Sequence, residues 1–192
     1  GLALSTFRND AAMGVDGLSP EVVKMPELEP FLRGICNRIL RVGLLPPEQW
    51  KTAVKVTLFK GKGSAADPGN YRGVCLQSCV LKVFMCLMLN RLRASLDPHL
   101  GESQMGFRMG RNCVMVTIAA RRLIEEVNRL APGVLPLLLI FVDYTKAFDT
   151  VEWDALWAIL AMYRIPPHII AILRQFYEGS KALVRTTAGL TP

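Results

Sequence analysis

The stretch LLLIFVDYTKAFDTV, Leu137 to Val151, places two carboxylates behind an unbroken apolar run. The run covers residues 137–142 and is typical of a strand buried on both faces, because a half-exposed strand would alternate apolar and polar residues. Asp143 would then end a rigid element inside a core. A charge there is costly unless it meets a metal ion or a cationic partner. The alternative is a strand that simply emerges into a polar turn.

The composition limits the class of protein around this stretch. The chain has 192 residues, 51% of them apolar, which predicts a folded core and one domain, or one domain with part of another. The opening residues GLALSTFRNDAAMG have no basic start followed by a long apolar segment, so we expect no secretory leader. No apolar run approaches the roughly 20 residues of a membrane-spanning helix. We therefore expect a soluble protein with no membrane partner.

The five cysteines form neither a zinc pattern nor a disulfide pattern. No Cys or His pair with ligand spacing follows Cys75 and Cys79, and the two histidines are isolated. We therefore expect neutral thiols in the reducing interior of a cell.

The net charge of +7 is concentrated in the middle of the chain. Residues 51–129 carry 13 Lys and Arg against 5 Asp and Glu, whereas the flanking parts are nearly balanced. Concentrated positive charge favours a polyanionic partner, and nucleic acid before a membrane, because no strongly basic amphipathic helix stands out. A solvated basic face is the alternative interpretation.

Hydrophobic periodicity and capping residues predict an α+β fold. Ser78 and Asn112 are the expected N-caps of two long helices, and Asp149 is expected to cap a helix that starts near Thr150. Residues 181–187 resemble the first strand of a hairpin whose partner is absent. The predicted helices cover residues 27–42, 78–96, 112–129, 152–163 and 167–177, and the predicted strands cover residues 52–59, 137–142 and 181–187.

Four segments with distinctive residues follow one another along the chain. They are LPPEQWKTAVKVTLFKGKG (45–63), NYRGVCLQSCVLKVFMCLMLNRL (70–92), ESQMGFRMGRN (102–112) and FVDYTKAFDTVEW (141–153). Together they resemble the reverse transcriptase domain of non-LTR, LINE-type retrotransposons over nearly the whole chain. The resemblance implies a right-hand polymerase fold, with helix-rich fingers over residues 1–133 and an incomplete palm sheet over residues 134–192.

The resemblance also implies an RNA-directed DNA polymerase that uses two Mg²⁺ ions, or Mn²⁺ in their place. Asp143 matches the first catalytic aspartate and would bind metal, with the backbone carbonyl of Tyr144 as a further ligand. Phe148 matches the aromatic residue beneath the sugar, where a ring excludes a ribose 2′-hydroxyl. For Phe148 the alternative is a core aromatic. For Asp149 we favour the helix cap over a metal ligand.

Further residues match the nucleotide- and template-binding motifs of the family. Lys60, Lys62 and Arg72 match the positions that contact the incoming triphosphate, and which lysine does so stays open. In the template-side motif, glycine allows close backbone approach, arginine grips phosphate and the aromatic ring packs or stacks. Solvated charges and a purely structural turn are the alternatives. That motif consists of Gln104, Gly106, Phe107, Arg108, Gly110 and Arg111.

The resemblance implies an RNA template, a DNA primer and deoxynucleoside triphosphates as partners, with action inside the cell and in the nucleus during integration. It also implies a later hairpin with two adjacent acidic residues that complete the metal site. The 192 residues contain no such pair in a hairpin pattern. We therefore expect this chain alone to be inactive as a partial polymerase. The alternative is a non-catalytic nucleic-acid-binding remnant of a decayed retroelement.

Overall fold

The computed structural model describes residues 9, 12–43, 46–130, 137–186 and 189–191. Helices and strands both occur in these ranges, which confirms the α+β content. No helix in them is long and apolar enough to span a bilayer. The elements are α1 (Pro20–Val23), α2 (Glu29–Val42), α3 (Glu48–Lys51), β1 (Thr52–Phe59), β2 (Tyr71–Leu76), α4 (Cys79–Leu96), α5 (Cys113–Leu130), α6 (Trp153–Met162), α7 (Pro167–Tyr177), β3 (Lys181–Thr186) and β4 (Gly189–Thr191), with 3-10 turns at Pro26–Leu28, Pro68–Asn70 and Asp97–His99.

The chain forms two compact units. The first contains Gly1–Leu92 and Arg164–Pro192, and the second contains Arg93–Tyr163. The boundary expected at residue 133 therefore falls within the second unit. A compact unit need not coincide with a functional domain, so the division into fingers and palm at that residue stays a prediction.

A four-stranded mixed sheet lies in the first unit, in the order β2-β1-β3-β4. Strand β1 is antiparallel to β2, from the pair Val54 and Leu76 to the pair Phe59 and Tyr71. It is parallel to β3, where Val54 lies beside Leu183. Strand β4 is antiparallel to β3. The expectation that β3 lacks a hairpin partner is therefore wrong: the three residues of β4 supply it, and they are too few to give a recognisable alternating pattern.

Three aromatic rings form the centre of the first unit's core. The ring centroid of Trp50 lies 5.8 Å from that of Phe84 and 6.3 Å from that of Phe176, and the two phenylalanines are 5.4 Å apart. Separations of this size are typical of favourable aromatic packing. Helices α2, α4 and α7 surround these rings with further buried apolar side chains. The predicted helices α2, α4 and α7 are thereby confirmed, and α4 is buried on nearly all sides over its first turns.

The N-terminus of α4 is capped as predicted and also joined to an early segment of the chain. The buried Ser78 Oγ accepts a hydrogen bond from the Leu81 N–H at 3.2 Å and donates one to Asp16 Oδ2 at 2.5 Å. A Cβ at Gly14 would collide with the backbone of residues 77 and 78, so only glycine lets the two segments approach this closely.

The buried thiols fit the expected neutral cysteines. All five cysteines are free, and Cys36 and Cys79 are buried in the first unit. Burial raises the pKa of both the Cys36 and the Cys79 thiol, which keeps them protonated and unreactive.

The strand expected at residues 137–142 is not formed. These residues are irregular and exposed, and the side chain of Phe141 is 90% accessible to solvent. A strand needs neighbours that satisfy its N–H and C=O groups, and no strand in the described ranges pairs with this segment, since β1 and β3 pair with each other. The prediction of a strand buried on both faces, with Asp143 at its end inside a core, is therefore wrong for this structure.

The helix cap expected at Asp149 is also wrong. Helix α6 begins at Trp153, with Glu152 at the N-cap position. Residues 145–150 form turns in which the N–H groups of Asp149 and Thr150 both donate to the Lys146 carbonyl, at 2.9 and 3.1 Å. A cap at Asp149 would accept from the N–H group of Val151 or Glu152, and the Val151 N–H donates instead to the Phe148 carbonyl at 3.5 Å.

Candidate nucleotide and nucleic-acid interface

The β1–β2 loop, residues 60–70, is closed by its own hydrogen bonds. The Lys60 N–H donates to the Asn70 carbonyl and the Lys60 ammonium donates to the Gly69 carbonyl, both at 2.8 Å. The Asn70 amide donates to the Ser64 carbonyl at 2.9 Å. The side chain of Lys60 therefore helps to hold the loop together.

Lys62 lies at the tip of this loop between two glycines with left-handed backbone, Gly61 at φ +73° and Gly63 at φ +77°. A Cβ at Gly63 would collide with the Asn70 amide, so the loop requires glycine there. Within the described ranges, neither Lys62 nor Arg72 has a side-chain hydrogen bond or ion pair. These two exposed cations are available to an anionic ligand.

Strand register places a further arginine on the same sheet face as Arg72. Arg72 pairs directly with Leu58, so it lies on the face that also carries Val54. Leu183 lies beside Val54, and two residues on along β3, Arg185 points to that same face. Sequence reasoning missed Arg185, because the parallel pairing of β1 with β3 cannot be read from local patterns.

The opposite face of the hairpin carries Lys55. Its side chain passes over Gly73, where an added Cβ would collide with it. The atoms in the way are the flexible end of the lysine, which can move aside, and Arg72 lies on the other face.

Arg108, expected to grip template phosphate, is engaged inside its own loop. Only 9% of its side chain is exposed. Its guanidinium donates to the Gly101 carbonyl at 2.9 Å and to the Asp97 carbonyl at 3.5 Å, and it lies 3.7 Å from the Asp97 carboxylate. These contacts cross-link the start and the end of the loop over residues 97–112, which we call the arginine loop.

Arg111 makes a second cross-link in the arginine loop. It donates to the Glu102 carboxylate at 2.6 Å and also to the Glu102 carbonyl. The hydrogen bond from Arg111 lowers the pKa of the Glu102 carboxyl. For both arginines, these contacts favour the interpretation of the motif as a structural turn. Their contact with template phosphate stays a prediction.

Helix α5 neutralises more of the positive charge in the middle of the chain. Its predicted cap is confirmed, because Asn112 Oδ1 accepts from the Met115 N–H at 3.3 Å. Its arginines pair along the helix surface with glutamates three or four residues away. The pairs are Arg121 and Arg122 with Glu125, and Arg129 with Glu126. The free cations that sequence reasoning assigned to ligand binding are therefore those of the β1–β2 hairpin, Lys62 and Arg72.

Two candidate aromatic residues meet in the second unit. The ring centroids of Phe107 and Phe148 are 6.3 Å apart with an interplanar angle of 87°, an edge-to-face contact. Phe107 is 92% exposed and Phe148 is 81% exposed, so neither is a core aromatic. Elsewhere in the motif, the Gln104 N–H donates to the Gly101 carbonyl at 3.0 Å, Gly106 has open space around it and Gly110 has φ +74°.

A family model described as reverse transcriptase (RNA-dependent DNA polymerase) matches residues 60–191, which include the hairpin cations, the arginine loop, Asp143 and Phe148. The chain belongs to the reverse transcriptase family. The resemblance carried by the four sequence segments is thereby confirmed.

Relatives of this reverse transcriptase chain are proteins of retrotransposable elements. It is 34% identical, over 97% of its length, to a protein of the type-1 retrotransposable element R1DM of Drosophila melanogaster. It is 29% identical, over 81%, to a protein named as a probable RNA-directed DNA polymerase from transposon BS of the same species, and 25% identical, over 98%, to a transposon TX1 protein of Xenopus laevis. The chain spans only 18%, 17% and 14% of these three relatives.

Reverse transcriptases use divalent metal ions, so the fit of this chain to such an ion can be tested on its own residues. Asp143 and Tyr144 are exposed and lie in an irregular segment. In the described part of the chain, no group of three or more His, Cys, Asp or Glu side chains is placed to hold a metal ion. One carboxylate and one carbonyl do not make a two-metal site, so these residues alone do not fit the ions.

Proposed function

We propose that this chain is the fingers and the first part of the palm of a right-hand RNA-directed DNA polymerase from a non-LTR retroelement. The observation that carries the proposal is the family match over residues 60–191, which contains every candidate site residue. The complete protein would copy an RNA template by extending a DNA primer with deoxynucleoside triphosphates.

In this proposal, the β1–β2 hairpin binds the triphosphate. Lys62 is favoured over Lys60, because the Lys60 ammonium already donates to the Gly69 carbonyl while the Lys62 side chain has no hydrogen bond to any residue that the structure describes. The planar guanidinium of Arg72 would hold two phosphate oxygens at once. The positive charge that these two residues bring offsets the negative charge of the nucleotide.

Two residues of the second unit would act at the sugar and at the reacting phosphate. Phe148, with its exposed ring, would lie beneath the sugar and exclude a 2′-hydroxyl. Asp143 and the Tyr144 carbonyl would contribute oxygen ligands to Mg²⁺, or to Mn²⁺, alongside carboxylates from other parts of the complete protein. The chemistry that such ions would supply when bound is stabilisation of the negative charge on the reacting oxygens.

The test is primer extension on an RNA template by a protein that includes this chain and the remainder of the palm. Asp143→Asn should abolish extension. Asp154→Asn is the matched control, since it makes the same charge change on an exposed residue in the first turn of α6 and should retain activity. Full activity of the Asp143→Asn protein would remove this carboxylate from the mechanism.

A non-catalytic nucleic-acid-binding remnant is the second candidate, and the concentration of positive charge in residues 51–129, with 13 Lys and Arg against 5 Asp and Glu, is the observation that favours it. Both candidates predict that this chain binds RNA through phosphate contacts, with an affinity that falls steeply with salt. Removing Lys62 or Arg72 should reduce the slope of log affinity against log salt by about 1 each. Arg33→Ala, which removes an equal charge from α2, should leave the slope unchanged. Only the polymerase proposal predicts extension, so an active wild-type protein would exclude the remnant.

A further inference from the structure

We propose that Phe107 is a positioning residue for the ring of Phe148, and that it thereby contributes to discrimination between deoxyribonucleotides and ribonucleotides. The inference rests on the proposed function, in which Phe148 lies beneath the sugar of the incoming nucleotide. It gives Phe107 a role apart from the template-side contact that its motif implies.

The first observation is the ring contact itself. An interplanar angle of 87° at a centroid separation of 6.3 Å places the edge of one ring towards the face of the other, which is a favourable arrangement of aromatic quadrupoles. Both rings are almost fully exposed, so no apolar core holds either of them. In the described part of the chain, the ring of Phe107 is the aromatic ring that contacts Phe148, and this contact would limit its rotation.

The second observation is the backbone of Phe107, which has φ +60°. This left-handed conformation is unusual for a bulky residue, and such outliers persist where the surrounding structure determines them, often at functional positions. Here the cross-links of Arg108 to Gly101 and of Arg111 to Glu102 hold the arginine loop on the C-terminal side of Phe107. The loop is therefore built to hold an exposed aromatic ring in one place.

The consequence for sugar selection is steric. A ring excludes a 2′-hydroxyl only while it stays in position, because a side chain that rotates away opens the space that the hydroxyl needs. Phe107 blocks one direction of rotation of Phe148. Without Phe107, ribonucleotides should fit better relative to deoxyribonucleotides, which do not need the extra space, so the ratio of the two kcat/KM values should fall.

The experiment compares kcat and KM for a deoxynucleotide and the matching ribonucleotide. It uses the polymerase that includes this chain and the remainder of the palm, called here the extended polymerase. Phe107→Leu should lower the discrimination roughly two- to tenfold, the range that one aromatic pair supplies, mainly through a lower KM for the ribonucleotide. Phe107→Tyr should restore it. Met109→Leu, a change at another exposed position of the same loop, should have no effect. In a Phe148→Ala background, Phe107→Leu should change nothing further, since its effect acts through the missing ring.

The free 192-residue chain provides a readout that needs no catalysis. In NMR spectra of protein with labelled phenylalanine, ring protons of Phe148 should shift when Phe107 is replaced by leucine and stay in place with Met109→Leu. An unchanged Phe148 spectrum in the Phe107→Leu chain, or unchanged sugar discrimination in an active Phe107→Leu polymerase, would overturn the role proposed for Phe107. Either result would leave the proposed polymerase function standing. An extended wild-type protein that incorporates no nucleotide would refute the proposed function, and the selectivity role with it.

Discussion

Replacing Arg108 distinguishes between two interpretations of its role in the arginine loop: an internal cross-link, and binding of template phosphate. The structure predicts that Arg108→Ala destabilises the loop by about 2–3 kcal/mol. Most of this comes from the charged hydrogen bond to the Gly101 carbonyl at 2.9 Å, worth roughly 1.5–3 kcal/mol. The 3.5 Å bond and the 3.7 Å ion pair to the half-exposed Asp97 should add at most about 1 kcal/mol.

Arg108→Lys is the informative variant, because it keeps the charge and loses the planar fork of donors. If Arg108 is a cross-link, lysine should recover little of the lost stability, since a single ammonium cannot span Gly101 and Asp97 as the guanidinium does. If Arg108 binds phosphate as an accessible charge, lysine should retain RNA affinity and its salt dependence, and stability should change little in either variant.

The assay is hydrogen exchange of amides over residues 97–112, together with urea unfolding of the whole chain. The exchange measurement is local, which suits a chain with two compact units that need not unfold in one step. Arg121→Ala is the control for loss of one positive charge, and its exposed ion pair with Glu125 should be worth less than about 1 kcal/mol. Unchanged protection in Arg108→Ala, with weaker RNA binding, would refute the cross-link.

Three further predictions concern the loop, the core and the acid range. Gly63→Ala should destabilise the β1–β2 loop by about 1–3 kcal/mol more than Gly61→Ala, because both glycines have positive φ but only Gly63 lacks room for a Cβ. The measurement is hydrogen exchange of the loop amides, and equal exchange rates in the two variants would contradict the prediction. Phe84→Ala should cost about 3–5 kcal/mol in urea unfolding, whereas the same change at the exposed Phe31 should cost less than about 1 kcal/mol. In an NMR titration the Glu102 carboxyl should have a pKa below its usual range and return towards it when its arginine partner is replaced by alanine. Because the pKa is lowered in the folded chain, this contact stabilises the loop above the unfolded-state pKa and is lost as the pH falls through the folded-state pKa.

Elements whose signals are local were predictable from the sequence. Ser78 caps α4 and Asn112 caps α5 as expected, because a cap depends only on a side-chain oxygen and an N–H group three residues on. Helix α7 begins at Pro167 and is followed by Gly179 at φ +71°, where proline and glycine predicted its limits.

Features that depend on distant neighbours were not predictable. The apolar run 137–142 has the composition of a buried strand, but composition cannot show whether other strands are there to pair with it. The same limit hid the pairing of β1 with β3, and with it Arg185. In the arginine loop, an arginine among glycines has the same sequence pattern whether its N–H groups donate to phosphate or to backbone carbonyls. Only the structure shows that Arg108 donates to a backbone carbonyl.

The pairing of β1 with β3 has a consequence for synthesis on the ribosome. Thr52 of β1 can pair with Lys181 of β3 only after well over a hundred further residues have been synthesised. At 5–20 residues per second, this delays the pairing by on the order of ten seconds. Until then the rings of Trp50 and Phe84 lack the ring of Phe176, and apolar surface stays uncovered while Arg93–Tyr163 can already collapse. In a nascent chain interrupted before α7, the core around Trp50 and Phe84 would therefore stay uncovered. Such products should be substrates for chaperones and proteases.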